Sequence, residues 1–198
     1  EHANFLLLTG NLSAARKSAE QVYQFALNSE EGKNLNVSYL KTVYAATLLA
    51  LGEIDKAKEL YNQKPTPDSF VSETRYQGSL GNLNEGVKFL VFFETWCPFS
   101  QKYIPRIEAV HRRYSDLGVD VIGWTQVNKS SSDDRVQGFI LDNQVTFSVL
   151  KDNGRPFNFF GATGVPYTVV LHEGEIVWKA SGAGREADRV VEGIAYAK

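Results

Sequence analysis

The sequence predicts an α/β sandwich, a mixed central sheet flanked by helices, preceded by a small all-α domain of helical hairpins. Three observations carry this expectation. Val87 to Phe93 is a nearly continuous apolar run rich in β-formers, as a central strand covered on both faces requires. Strand-like and helix-like segments then alternate to the end of the chain. Ahead of that run, the pattern Leu-Leu-x-x-Gly-x-apolar-x-x-Ala occurs twice, around Gly10 and around Gly52, at an offset of 42 residues.

Taken in order, each Gly of the repeat closes one helix and each small Ala lets the next pack closely, which predicts four helices near 2–9, 12–29, 36–51 and 54–63. Ala19, Val22, Tyr23 and Ala26 supply the apolar stripe of the second. Through its Gly, Ala and Tyr61 positions this portion resembles tetratricopeptide-type repeats, which implies either a packing cap or a module that binds a partner protein. Lys64-Pro65-Thr66-Pro67-Asp68-Ser69 has the prolines of a linker, so the domains are expected at 1–65 and 66–198. After the strand at 87–93, a helix starts at Pro98; Tyr103, Ile107, Val110 and Tyr114 recur at helical spacing, Pro105 predicts a kink and Gly118 ends the element. A strand from Val119 to Trp124, a helix at 132–142, a strand from Thr146 to Leu150, a turn at Asp152-Asn153-Gly154 and a short helix from Arg155 to Phe160 follow. Tyr167 to Leu171 and Glu175 to Lys179 form a hairpin through His172-Glu173-Gly174, and a helix from Arg185 to Ala197 ends the second domain.

Composition narrows the function classes. With 198 residues, 43% hydrophobic and 22% charged, the chain is an ordinary globular protein rather than a disordered one. Lys and Arg number 21 against 23 Asp and Glu, a net charge of -2, so nucleic acid is not an expected partner. A single Cys excludes an internal disulfide framework and any multi-Cys zinc or iron-sulfur site, and His111 and His172 lack acid or Cys partners at metal spacing; no metal or cofactor is expected. The longest apolar stretch is far below the roughly 20 residues of a membrane helix, so no membrane anchoring is expected within this sequence. It holds no Met and starts at Glu1, as expected of a processed or trimmed product, so the lack of a targeting segment in it says nothing about compartment.

The reactive constellation is Glu94-Thr95-Trp96-Cys97-Pro98-Phe99-Ser100, where the apolar strand ends and a helix begins. At a helix start, unpaired backbone N–H groups and the positive end of the helix dipole favour a thiolate over a thiol, which makes a cysteine there a nucleophile at neutral pH. Pro98 suits the first helical turn, having no N–H and a helical φ.

Trp96-Cys97-Pro98, a hydroxyl at Ser100, Pro105 eight residues after Cys97, Gly164-Val165-Pro166-Tyr167-Thr168, and Gly174-Glu175-Ile176-Val177 resemble the thioredoxin superfamily, and within it the TlpA/ResA-like extracytoplasmic thiol-disulfide oxidoreductases. The likeness covers the whole second domain. It implies a thioredoxin-like sandwich, exchange with protein disulfides or thiols, a periplasmic or other extracytoplasmic location, and a cis peptide before Pro166 that lies beside Cys97 and positions an incoming substrate. In that frame Cys97 is the nucleophile, and Trp96, Pro98, Phe99 and Val165 are the substrate-binding surface; Glu94, three residues before the Cys, reads by its position as either a proton relay or a solvated carboxylate at the strand end.

Ser100 departs from the pattern: it stands where the family has its second, resolving Cys, and a hydroxyl cannot attack a mixed disulfide. Either the protein is naturally monothiol or the second Cys has been replaced. In the monothiol case Ser100 is expected to donate a hydrogen bond to the Cys97 thiolate, with release left to an external thiol. Val91 occupies the position where the family usually carries an acid or Asn on the strand. Peroxiredoxins resemble this fold but want a Thr three residues before the reactive Cys, where Glu94 stands. The competing function is a docking protein in which the sandwich is a platform and the helical domain recruits a partner.

Overall fold

A computed structural model describes residues 1–62, 70, 74–128, 130–182 and 186–197. The elements among them are α1 (His2–Leu8), α2 (Leu12–Asn28), α3 (Val37–Ala50), α4 (Ile54–Tyr61), β1 (Arg75–Gln77), β2 (Val87–Phe93), α5 (Pro98–Tyr114), β3 (Val119–Thr125), α6 (Asp133–Asp142), β4 (Ser148–Lys151), α7 (Arg155–Phe159), β5 (Tyr167–His172), β6 (Glu175–Ser181) and α8 (Ala187–Tyr196). The chain divides into two compact units, residues 1–63 with 185–198, and residues 64–184. The expected linker at 64–69 lies outside the described residues.

In the helical unit the repeated Gly has a physical cause. Gly10 takes φ +84° and Gly52 φ +74°, the left-handed conformation that ends a helix without a Cβ clash. The same pair of bonds follows at both sites. Gly10 N–H donates to Leu7 O at 3.2 Å and Asn11 N–H to Leu6 O at 2.9 Å, while Gly52 donates to Leu49 O and Glu53 to Leu48 O, each at 2.9 Å. Ala15 and Ala57, five residues after each Gly, are fully buried. The stripe of α2 is Ala15, Ala19, Tyr23 and Ala26; Val22, expected within it, sits at its edge and is 40% exposed.

The terminal helix corrects the expected assignment. It belongs to the helical unit, not to the sandwich. Every residue of α3 from Val43 to Leu49 is buried, so this helix needs cover on all sides, and α1, α2, α4 and α8 supply it. Val190, Val191 and Ile194 are the buried face of α8. Gly193 makes the close approach possible, because a Cβ there would lie 2.0 Å from Leu49 O. An alanine in a helix interior is ordinarily worth about 0.5–1 kcal/mol over glycine. Here the clash reverses the sign, and Gly193→Ala is expected to destabilise the helical unit by about 1–3 kcal/mol in thermal unfolding followed by far-ultraviolet circular dichroism; a stabilised variant would show that α8 does not pack this closely.

The second unit is thioredoxin-like. Its six-stranded sheet has the order β1-β4-β3-β2-β5-β6, with β2, β3 and β4 parallel and β1, β5 and β6 antiparallel to their neighbours. Phe89 to Phe93 of the central β2 are all within 1% of full burial, and Phe92 stacks on Trp124 with ring centroids 5.3 Å apart. Lys88 is buried and pairs with Asp120. Strand β1 was not expected: it has three residues and no apolar run. It is held at the edge by Gln77, whose amide donates to Val145 O and Phe147 O, both at 2.9 Å. On the helical side, Glu108 of α5 accepts from Arg112 at 2.6 Å and from the Thr146 N–H and hydroxyl at 2.8 and 2.6 Å. Burial opposes its charge, but these donors together hold the carboxyl below its ordinary range.

Candidate active site

Sheet order creates the site. Because β2 and β5 are antiparallel neighbours with Phe92 opposite Tyr167, the outgoing end of one lies beside the incoming end of the other. The chain leaves β2 at Phe93, and Cys97 becomes the N-cap of α5, with Pro98 in the first turn. Cys97 N–H donates to Glu94 O at 3.1 Å, and Cys97 O accepts from Gln101 N–H at 2.9 Å. Across the gap stand Val165 and Pro166, joined by a cis peptide. Cys97 Sγ lies 3.6 Å from Val165 O and is part of a residue only 5% exposed. Pro166 O in turn accepts from Gly182 N–H at 2.8 Å.

Ser100 is fully buried, and its hydroxyl oxygen accepts from Glu94 N–H at 3.3 Å. That bond ties the first turn of α5 to the residue that follows β2, and the hydroxyl keeps its own hydrogen to donate.

Glu94 is 5% exposed, and its Oε2 has no hydrogen-bond partner. Burial pushes its carboxyl up to about 7; the Asp152 charge adds to the shift, while the Gln126 N–H and the Trp96 side chain offset part of it. Asp152 is itself buried and accepts from Gly154 N–H at 2.8 Å and from the Gln126 amide at 3.1 Å. The electrostatic roles of Asp152 and Gln126 were not foreseen, because their neighbours in space are far away in sequence. Thr95 was also unremarked; its hydroxyl meets that of Ser131 at 2.8 Å.

Two large apolar side chains flank the thiol on the surface: Trp96 is 48% and Phe99 71% exposed. Pro98 is exposed beside them. The structure thus brings Cys97 to Val165, and Glu94 to Ser100 and Trp96, while Pro98 and Phe99 face solvent. A cleft of about 560 Å³ opens beside Trp96. Among the described residues no three His, Cys, Asp or Glu gather as a metal site, and no helix is long and apolar enough to cross a membrane.

Comparison with known proteins follows the same lines. The chain is 30% identical over 100 residues to the thiol-disulfide oxidoreductase ResA of Halalkalibacterium halodurans, covering 50% of this chain and 55% of that protein. It thus spans about half the length of that relative. It is 26% identical over 141 residues to the sporulation thiol-disulfide oxidoreductase A of Bacillus subtilis, covering 69% of this chain and 86% of the other. Among solved structures, a thiol:disulfide interchange protein of the thioredoxin family from Chlorobium tepidum superposes with a TM-score of 0.56 at 23% identity, over 67% of this chain and 98% of that one. That likeness establishes the fold. Residues 63–179, more than half of the sequence and containing both Cys97 and Pro166, match the AhpC/TSA family, and the chain belongs to that family.

Proposed function

We propose that the protein catalyses thiol-disulfide exchange on protein disulfides, with Cys97 as nucleophile. The observation that carries this is the placement of the thiol at the start of α5, 3.6 Å from Val165 O, between the exposed rings of Trp96 and Phe99. The family relatives named as thiol-disulfide oxidoreductases support it. In the forward step the Cys97 thiolate attacks one sulfur of a substrate disulfide, a mixed disulfide forms, and the other substrate sulfur leaves as a thiolate. Glu94, with its carboxyl near 7, is suited both to take the proton from the thiol and to return it. Trp96, Pro98 and Phe99 offer an apolar surface to the substrate chain, and the Val165-Pro166 segment offers backbone groups beside the sulfur.

Ser100 supplies no second thiol, so release of the mixed disulfide falls to an outside thiol or to the substrate's own second Cys. This monothiol cycle suits isomerase or deglutathionylation chemistry better than net reduction. The family resemblance favours an extracytoplasmic setting, and the helical unit is suited, as a repeat-like module, to hold a partner protein.

The test is direct. Incubation with a peptide carrying one intramolecular disulfide is expected to give a covalent adduct of protein plus peptide mass, reversed by dithiothreitol and absent in Cys97→Ala. The second reading, a docking platform, is favoured by one observation: Cys97 is only 5% exposed. If no adduct forms while the fold is intact, exchange is refuted and docking takes its place.

A further inference from the structure

The cleft beside Trp96 has a charge pattern that the exchange reading leaves unused. One wall is Trp96 and Gln101, which bracket Cys97 in sequence. The other is a face of α6: Arg135, Gly138, Phe139 and Asp142 stand at i, i+3, i+4 and i+7, one side of the helix. The Thr95–Ser131 hydroxyl contact at 2.8 Å ties the chain leading into α6 to the segment that carries Cys97.

Arg135 and Asp142 close the two ends of this face. Seven residues at 1.5 Å each separate them by about 10 Å along the helix, roughly the reach of an extended tripeptide. Arg135 gives one N–H to Ser130 O at 2.8 Å and retains further donors in its guanidinium fork. Among the described residues, neither it nor Asp142 is engaged in an ion pair. Between them the floor is open, since a Cβ on Gly138 would meet nothing within 4 Å. Phe139, packed on Phe93 at 5.7 Å, gives that floor an apolar middle. A cation at one end, an anion at the other and about 560 Å³ between them match a small molecule with a carboxylate and an ammonium at opposite ends.

We propose that this cleft binds a short zwitterionic peptide thiol, which resolves the Cys97 mixed disulfide. The inference rests on the exchange reading and supplies what Ser100 cannot. With its carboxylate at Arg135 and its ammonium at Asp142, the bound thiol, as thiolate, attacks the substrate sulfur of the mixed disulfide. A peptide-substrate disulfide forms, the Cys97–substrate bond breaks, and Cys97 leaves as a thiolate, with no net change in oxidation state.

The experiment starts from protein carrying a Cys-containing peptide disulfide-bonded to Cys97 and follows the return of free protein by intact mass. The tripeptide glycyl-cysteinyl-glycine and 2-mercaptoethanol are compared at equal thiolate concentration. The tripeptide is expected to be at least about tenfold faster and to saturate, as a bound reactant does, while 2-mercaptoethanol stays linear in concentration. Arg135→Glu and Asp142→Lys should each lower the tripeptide to 2-mercaptoethanol rate ratio about two- to fivefold, the scale of one exposed charge contact. Gly138→Phe, which fills the floor without reversing a charge, should lower it as well. A wild-type ratio near one, or a ratio that none of the three variants changes, overturns the proposal and leaves exchange standing. Failure to form the starting mixed disulfide overturns both.

Discussion

Replacing Ser100 with cysteine is expected to shorten the lifetime of a Cys97–substrate mixed disulfide by at least about a hundredfold. Residues three apart on a helix face each other with Cβ atoms about 5–6 Å apart, within reach of a disulfide after small side-chain adjustment. A thiol held at that distance attacks intramolecularly, and positioned groups of this kind act at effective concentrations far above any attainable with free thiol. Serine and cysteine are close in shape, so the buried position accepts the change. The structural consequence is limited to one contact: Glu94 N–H now donates to the Ser100 oxygen at 3.3 Å, and sulfur is a weaker acceptor, a loss of about 1 kcal/mol. The measurement is the decay of the adduct by quenched intact mass, with no external thiol present. An unchanged lifetime would mean that this side chain does not face the reacting sulfur, and the account of Ser100 as the vacant resolving position would be wrong.

Glu94→Gln is expected to stabilise the sandwich at pH 8 and to leave it unchanged at pH 4. The folded carboxyl lies near 7 against an ordinary 4.5. Below pH 4.5 both folded and unfolded chains hold the proton, and no penalty arises. As pH rises through 4.5 to 7 the unfolded chain releases its proton first, so stability falls with pH; above 7 the full difference, on the order of 3 kcal/mol, is present. Glutamine keeps the shape and never ionises, which removes that loss. Burial is the main cause, and the partnerless Oε2 is its structural sign. Urea unfolding at pH 4, 6 and 8, followed by the fluorescence of Trp96, Trp124 and Trp178, reports on this unit alone because all three tryptophans lie in it. Equal stability differences at pH 4 and pH 8 would remove the buried-acid account. If Glu94 also relays the proton of Cys97, the pH dependence of adduct formation near 7 flattens in the same variant.

Local features of the chain made most of this protein legible before any contact was known. The two Gly-closed hairpins, the apolar run of β2, Pro98 opening α5 behind Cys97, and the Glu173-Gly174 turn between β5 and β6 are all written in residues close together in sequence. Each rests on a short-range cause: a left-handed φ, a missing N–H, an apolar period. The placement of Cys97 at the junction of strand and helix was therefore determined by the sequence alone. What tertiary structure decided depends on residues far apart. Sheet order set Val165 O against the sulfur, burial next to Asp152 raised Glu94, and Glu94 N–H found the Ser100 hydroxyl oxygen. The short edge strand β1 forms through its pairing with β4 and the Gln77 amide bonds to the carbonyls before it. Helix α8 joins the helical unit because α3 is apolar on every side and Gly193 lets it come close. In each case the local pattern is compatible with more than one partner, and it is desolvation and close packing between distant segments that select among them.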